Sequence, residues 1–194
     1  PKHFQMNELA QARQLIAENP LSMLVGPDGE GRSFVTHIPM SAGEDERGWW
    51  LEGHMARANP HWGWLSGQAE VLAVFTGPDG YVSPRHYETR LAVPTWNYLA
   101  VHVYGQLELV DEPLAKDHLL KRLIARHDPD YIAQWLNLPE DYKQKMLAAI
   151  VGFRIRVMRW EGKAKVSQNR SAVERERIRA NDAELGAWMT RLGA

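Results

Sequence analysis

Trp96-Asn97-Tyr98-Leu99-Ala100-Val101-His102-Val103-Tyr104-Gly105-Gln106-Leu107-Glu108-Leu109-Val110 is the stretch on which the fold turns. Its odd positions Leu99, Val101, Val103, Leu107 and Leu109 make one apolar face, and its even positions carry Trp96, Tyr98, His102 and Tyr104. A period of two is the signature of a strand, here a long one. The aromatic second face suits an interface or a planar ligand, and it equally suits cross-strand aromatic packing.

Working outward, residues 70–76 read as a compact apolar strand covered on both faces. Gly77-Pro78-Asp79-Gly80 reads as a turn and residues 81–83 as a short strand. Further upstream, residues 21–25 and 33–40 are strands joined by the turn sequence Gly26-Pro27-Asp28-Gly29. Residues 41–48 are polar and glycine-containing, hence a turn, and 49–54 a third strand. Two helices punctuate this half: residues 8–19 with Asn7 as cap, and 59–66 with Asn59 as cap and Pro60 at the first position. Downstream, residues 112–127, 131–137 and 140–149 read as a helical insert, with Asp117 and Lys121 one turn apart. Strands return at 151–160 and 163–168, and residues 171–180 and 182–192 close the chain as helices broken at Asn181. Short turns between the early strands imply antiparallel pairing. Without βαβ alternation or internal repeats, the pattern predicts an α+β, mainly β, fold: a small antiparallel barrel with helices outside, one domain over residues 1–194.

The 194 residues include 44% hydrophobic and 24% charged side chains, enough for a core. No apolar run is long enough to span a bilayer, and no basic segment followed by an apolar stretch opens the sequence, so neither membrane insertion nor a secretory signal is expected. With no cysteine, disulfides, thiolate nucleophiles and iron–sulfur clusters are excluded, which fits a cytoplasmic location. The net charge of −1 is uneven: residues 1–149 hold 13 Lys/Arg against 19 Asp/Glu, and residues 150–194 hold 10 against 5. The basic final quarter either attracts an anion or is the solvated face of surface helices.

Three segments could carry chemistry. Gly53-His54-Met55-Ala56-Arg57-Ala58-Asn59-Pro60 puts a histidine, an arginine and a helix start directly after a strand; helix amides and a guanidinium fork suit phosphate, while Asn59 alone could simply cap the helix. Thr95-Trp96-Asn97-Tyr98 groups a hydroxyl, an indole, an amide and a phenol at a strand entrance, apt for the face and edge of a flat ring or for a core plug. In Gly162-Lys163-Ala164-Lys165-Val166-Ser167-Gln168-Asn169-Arg170, the side chains of Lys163, Lys165 and Ser167 share one strand face, either an anion strip or a lysine-guarded edge. Phosphate-loop, dinucleotide-fold, zinc-helix and nucleophile-elbow motifs are all missing. The eight histidines form no metal-spaced pair, so no metal site is expected and no catalytic residue stands out.

Together these segments resemble the PaiB-like family of FMN-binding negative transcriptional regulators. The resemblance begins at Pro1-Lys2-His3-Phe4. It runs through His37-Ile38-Pro39, Gly53 to Pro60, Phe75-Thr76-Gly77-Pro78, Tyr81-Val82-Ser83-Pro84, Val93 to Tyr98 and Val101-His102-Val103-Tyr104-Gly105, and ends at Glu161 to Arg170. The order and spacing of the pieces make it specific. It departs from the family pattern at His86, where an aromatic residue is expected, and at Val166, where leucine is expected. The resemblance implies a six-stranded antiparallel split β-barrel with flanking helices, a homodimer, and FMN at the subunit interface. It implies that His54, Arg57 and Asn59 hold the FMN phosphate and ribityl chain. Lys163, Lys165, Ser167 and Gln168 would add phosphate or flavin contacts, Thr95, Trp96 and Asn97 would meet the ring, and His37 would face the same cleft.

Two functions follow from the resemblance. One is negative control of transcription, with DNA as a partner through Arg170, Arg175, Arg177 and Arg179, although no helix-turn-helix is evident and Glu174 and Glu176 dilute the charge. The other is an FMN-dependent oxidoreductase acting on a small molecule. A haem in the cleft is a third reading, to which the Lys/Ser/Arg complement is less suited than to a phosphate.

Overall fold

The period-two segments form the sheet, and the turns that connect them are where sequence and structure part. The computed structural model describes residues 2–194; Pro1, the first residue of the opening motif, lies outside the described residues. Contacts group the chain into two compact units, residues 20–74 with 103–160, and residues 1–19 with 75–102 and 161–194.

The first unit holds β2 (Leu21–Pro27), β3 (Ser33–Pro39), β4 (Ser41–Asp45), β5 (Gly48–Ala56) and α2 (His61–Leu65). It also takes in the opening of β6 (Val71–Val82), the later part of β7 (Thr95–Val110) and the earlier part of β8 (Ile150–Lys165). The insert folds as α3 (Pro113–His127), a 3-10 turn at Pro129–Tyr131, α4 (Ile132–Asn137) and α5 (Glu140–Ala148), with Lys121 and Asp117 paired at 2.6 Å. Strands follow the order β3-β2-β6-β7-β8-β5-β4. The pairs β2–β3, β2–β6, β4–β5 and β5–β8 are antiparallel. Leu24, Leu51, Val103, Phe153 and Ile155 are fully or almost fully buried, as the alternation requires.

The other unit holds the 3-10 turn Lys2–Phe4, β1 (Gln5–Met6), α1 (Leu9–Glu18), the remaining lengths of β6, β7 and β8, α6 (Ala172–Asn181) and α7 (Ala183–Arg191). β1 pairs antiparallel with β8, Gln5 opposite Lys163. Leu15, Ile16, Phe75, Leu99, Trp188 and Met189 are its buried residues of note.

Eight strands are therefore assigned among the described residues where six were expected; the six longer ones are β2, β3, β5, β6, β7 and β8. The additions are β1 and β4. Residues 41–45, read as part of a turn, form a strand because tertiary contacts hold a polar segment extended: Arg156 Nη1 donates to both Asp45 oxygens at 2.8 and 2.7 Å. The Trp50 indole occupies the space at Gly43, where a Cβ would come within 2.2 Å of it. Residues 77–80 also extend a strand. Gly77 is there for room, since a Cβ would lie 2.5 Å from Leu15 Cδ1, and Asp79 accepts from Trp96 Nε1 at 2.7 Å. Residues 163–165 belong to β8 itself. Asn7 does not cap α1; Glu8 occupies that place without a side-chain bond. The C-terminal break falls at Asp182, whose Oδ1 accepts from Leu185 N at 3.0 Å.

At Gly105 a Cβ would stand 2.1 Å from the Arg156 carbonyl oxygen, a backbone atom that cannot yield. Gly105→Ala is expected to cost at least about 2 kcal/mol in urea unfolding. Gly63→Ala, on the exposed side of α2 with nothing within 4 Å of its Cβ, should be neutral or stabilise by roughly 0.5–1 kcal/mol.

Candidate functional site

In the unit of α1, α6 and α7, β7 starts and β8 ends beside a cleft. Thr95 opens β7, and Lys165 Nζ donates to its Oγ1 at 2.5 Å. Asn97, fully buried, donates from Nδ2 to Ser167 Oγ at 2.9 Å, and that hydroxyl lies 3.1 Å from Asn97 Oδ1. Ser167 has φ +62, the only positive φ at a non-glycine among the described residues. Such a conformation costs of order 1 kcal/mol for a residue with a Cβ; the buried hydrogen bond to Asn97 offsets it and turns the chain sharply out of β8. Gln168 stabilises the same turn, its Oε1 accepting from Val166 N at 2.9 Å and its Nε2 donating to Ala164 O.

The cleft, about 170 Å³, is lined by Phe4, Val93, Pro94, Thr95, Asn97, Lys165, Ser167, Asn169 and Arg170. Among the described residues, two cations and two hydroxyls line it, and no carboxylate does. The Arg170 guanidinium lies 3.8 Å over the centroid of the buried Tyr87 ring and makes no hydrogen bond to the described residues, so its donors stay available. Arg170 and Asn169 were missed as site residues, although they end the quoted 162–170 motif; only the reversal at Ser167 turns them to the cleft.

Of the expected set, this cleft gathers Thr95, Asn97, Lys165 and Ser167. Trp96 takes the other face of β7, half exposed, its ring centroid 6.2 Å from that of Tyr81 in an edge-on arrangement. Lys163 is exposed, its ammonium 5.8 Å over the Tyr98 ring. Gln168 holds the turn and does not line the cleft.

In the other unit, Arg57 ties a corner. Its backbone N donates to Ala149 O at 2.8 Å, its Nε to Ala148 O at 2.9 Å, and its Nη2 to Ile150 O at 3.1 Å and to Asp111. Lys116, nearly fully buried, also holds Asp111, at 2.9 Å. The Asp111 carboxyl is thereby kept below its ordinary range, first by Arg57 and then by Lys116. The cap position of α2 falls on Pro60, one residue later than expected; Asn59 Oδ1 still accepts from His61 N at 3.0 Å, while its Nδ2 donates to Thr36 Oγ1 at 3.3 Å. Thr36 Oγ1 is 2.8 Å from Nδ1 of His61, which is completely buried. Sequence reading passed over His61 because a lone histidine at a helix start carries no spacing signal. His54 is half-buried on β5 opposite Gly152, and His37 is exposed on β3 opposite Met23.

Against known proteins, residues 1–159 match the family described as "Putative FMN-binding domain". The chain belongs to this family. FMN is its cofactor. The match ends before residues 163–170. Protease synthase and sporulation protein PAI 2 of Bacillus subtilis is 31% identical over 179 residues, covering 90% of this chain and 84% of that protein, so the PaiB-like resemblance stands. Among solved structures, the FAD and heme binding protein from Mycobacterium smegmatis superposes with a TM-score of 0.68 at 20% identity, over 92% of this chain and 80% of that one. The flavocytochrome Anf3 from Azotobacter vinelandii gives 0.66 at 18% identity, over 84% and 69%. Both are likenesses of fold, and they place the family's mainly antiparallel sheet with flanking helices in the split-barrel class. The cleft's donor set, cations and hydroxyls without a carboxylate, fits the phosphate of FMN.

Burial pushes the His54 and His61 imidazoles below the ordinary histidine value. A depressed imidazole leaves the unfolded chain the better proton acceptor, so stability is full above about pH 6.5 and falls as pH drops below it. Asp111 acts in the same sense only below about pH 4. Urea titrations from pH 7.5 to 5 should show this decline, and His61→Gln should flatten its slope.

Proposed function

We propose that this chain binds FMN with the phosphate in the cleft of Thr95, Asn97, Lys165, Ser167 and Arg170, and exerts a PaiB-type regulatory role through the state of that flavin. The observation that carries the reading is the pairing of Lys165 with Thr95 beside a guanidinium whose donors meet no acceptor among the described residues. When bound, the flavin supplies one- and two-electron redox chemistry. The chain's own residues hold the anionic tail: Lys165 and Arg170 as charge-assisted donors and Thr95 through its hydroxyl, while Ser167, whose hydroxyl donates to Asn97 Oδ1 and accepts from Asn97 Nδ2, fixes the turn that lines the cleft. His37, His54, Arg57, Asn59, Trp96, Lys163 and Gln168 belong to the wider set that the family resemblance assigns to FMN.

Direct DNA binding by the basic C-terminal stretch has little support. Arg175 Nη1 donates to Arg170 O at 2.7 Å, Arg177 Nη1 to His86 O at 3.4 Å, and Arg179 to Glu176 at 2.6 Å and Ala194 O at 2.5 Å. Guanidiniums committed to the fold are poor phosphate readers. With direct DNA binding weakened, the second reading is an FMN-dependent oxidoreductase acting on a small molecule in the cytoplasm, resting on the chemistry a flavin supplies.

A homodimer is supported by one sheet face. Register puts Leu21, Met23, Val25, Val35, Leu72 and Val74 on the same side of β3-β2-β6, with Leu21 59% and Val35 45% exposed and His37 among them.

Purified protein should take up FMN with a bound-flavin absorption spectrum, and Lys165→Ala should weaken binding by roughly 1.5–3 kcal/mol in a flavin-fluorescence titration. Unchanged affinity would remove Lys165 from the phosphate site. Anaerobic mixing with NADH or NADPH separates the two functions: rapid bleaching of the flavin supports the enzyme, whereas salt-sensitive operator binding by the FMN-loaded protein supports direct repression.

A further inference from the structure

Between the buried Tyr87 and the start of β7, the chain shows apolar side chains to solvent. Leu91 is 96% exposed and Val93 74%, although Val93 and Pro94 also line the cleft. Among the described residues, 89–94 has only the local hydrogen bond from Leu91 N to Thr89 Oγ1, 3.1 Å. Isolated exposed apolar residues need no explanation; two at the tip of a loosely bonded segment bordering a cationic cleft do.

The ends of this segment are fixed. On one side Pro94 leads into Thr95 and β7. On the other, Glu88 N donates to Glu174 Oε1 at 2.9 Å, and Ser171 Oγ donates to Glu88 Oε2 at 2.7 Å. Ser171 and Glu174 are themselves locked by the capping box of α6. Arg170, the residue before Ser171, lines the cleft and stacks on Tyr87, the residue before Glu88. Any anion that draws the Arg170 guanidinium therefore pulls on the contact that seats the segment's first anchor.

We propose that residues 89–94 form a strap that closes over the occupant of this cleft, with Leu91 and Val93 packing on its head group. The ligand class is then a phosphomonoester carrying a flat, largely apolar ring. The cations take the tail, and the strap rejects an anion without a ring by leaving its own side chains in water. This rests on the FMN reading above, and it adds the residues that tell FMN from bare phosphate.

Arg90, exposed in the middle of the strap, offers a tryptic site for the test. Full-length protein is digested briefly with trypsin alone, with saturating FMN, and with inorganic phosphate, at a concentration where size-exclusion shows the same oligomeric state in all three. Cleavage after Arg90, followed by mass spectrometry, should be slowed at least about tenfold by FMN and little by phosphate. Leu91→Ser/Val93→Ser, at positions too exposed to threaten folding, should weaken FMN binding about tenfold and leave phosphate competition unchanged. FMN binding, shown by fluorescence, without protection and with wild-type affinity in the double variant would overturn the strap and leave the FMN site standing. Equal loss of FMN and phosphate affinity would also overturn it. Failure of wild-type protein to bind FMN at all would overturn both readings.

Discussion

The hydrogen bond between the buried Asn97 amide and the Ser167 hydroxyl is the contact on which the cleft depends. It crosses from the start of β7 to the second residue past β8, and it sits where the backbone adopts a conformation unfavourable for a side-chain-bearing residue. With both groups buried, losing either partner would leave a polar atom without water or a protein mate, a cost of about 1–3 kcal/mol. The sharp exit from β8 that this bond secures brings Arg170 to line the same cleft as Lys165. The cationic character of the cleft is thus a consequence of one strained turn.

Arginines elsewhere work as internal ties. In the larger unit the buried Glu52 takes two hydrogen bonds from Arg122, at 2.6 and 2.8 Å, and one from Arg154 at 2.9 Å, and the Arg154 guanidinium lies 4.3 Å from the Trp50 ring. This fastens α3 to the β5–β8 pair. A buried carboxylate of this kind is tolerable only with its partners in place, so it specifies the docking of the helix more than it adds net stability. Arg57 and Lys116 around Asp111 do the same where the insert returns to β8. In the terminal unit, Arg175 and Arg179 fasten the C-terminal helices, and Arg177 ties them to the 3-10 turn Pro84–His86 before the strap. The arginines of the final quarter are mostly scaffold; Arg170, which stacks on Tyr87 and makes no side-chain hydrogen bond to the described residues, is the exception among them.

The long strands were legible because burial imposes a strict period of two on them, and Leu99, Val101 and Val103 show it without ambiguity. The helical insert was legible for the same reason with a different period. The turns were less so. Gly77 and Gly43 looked like turn residues, yet each exists to admit a neighbour, Leu15 in one case and Trp50 in the other, and composition cannot distinguish a glycine that bends from one that makes room. For the site, residue types in the 53–60, 95–98 and 162–170 segments pointed to an anion, and the family resemblance identified FMN. Alternation along β7 then separated Trp96 from Thr95 and Asn97, which spacing alone already implied.

From sequence alone came the fold class, the helical insert, the absence of thiol chemistry and the segments rich in phosphate-seeking groups, because hydrophobic period and side-chain chemistry are local properties that survive without coordinates. Tertiary structure decided which cations remain free. A guanidinium reads the same in sequence whether it meets a carbonyl, an aromatic ring or a ligand, and only the positions of its neighbours, many residues distant along the chain, determine where its donors go.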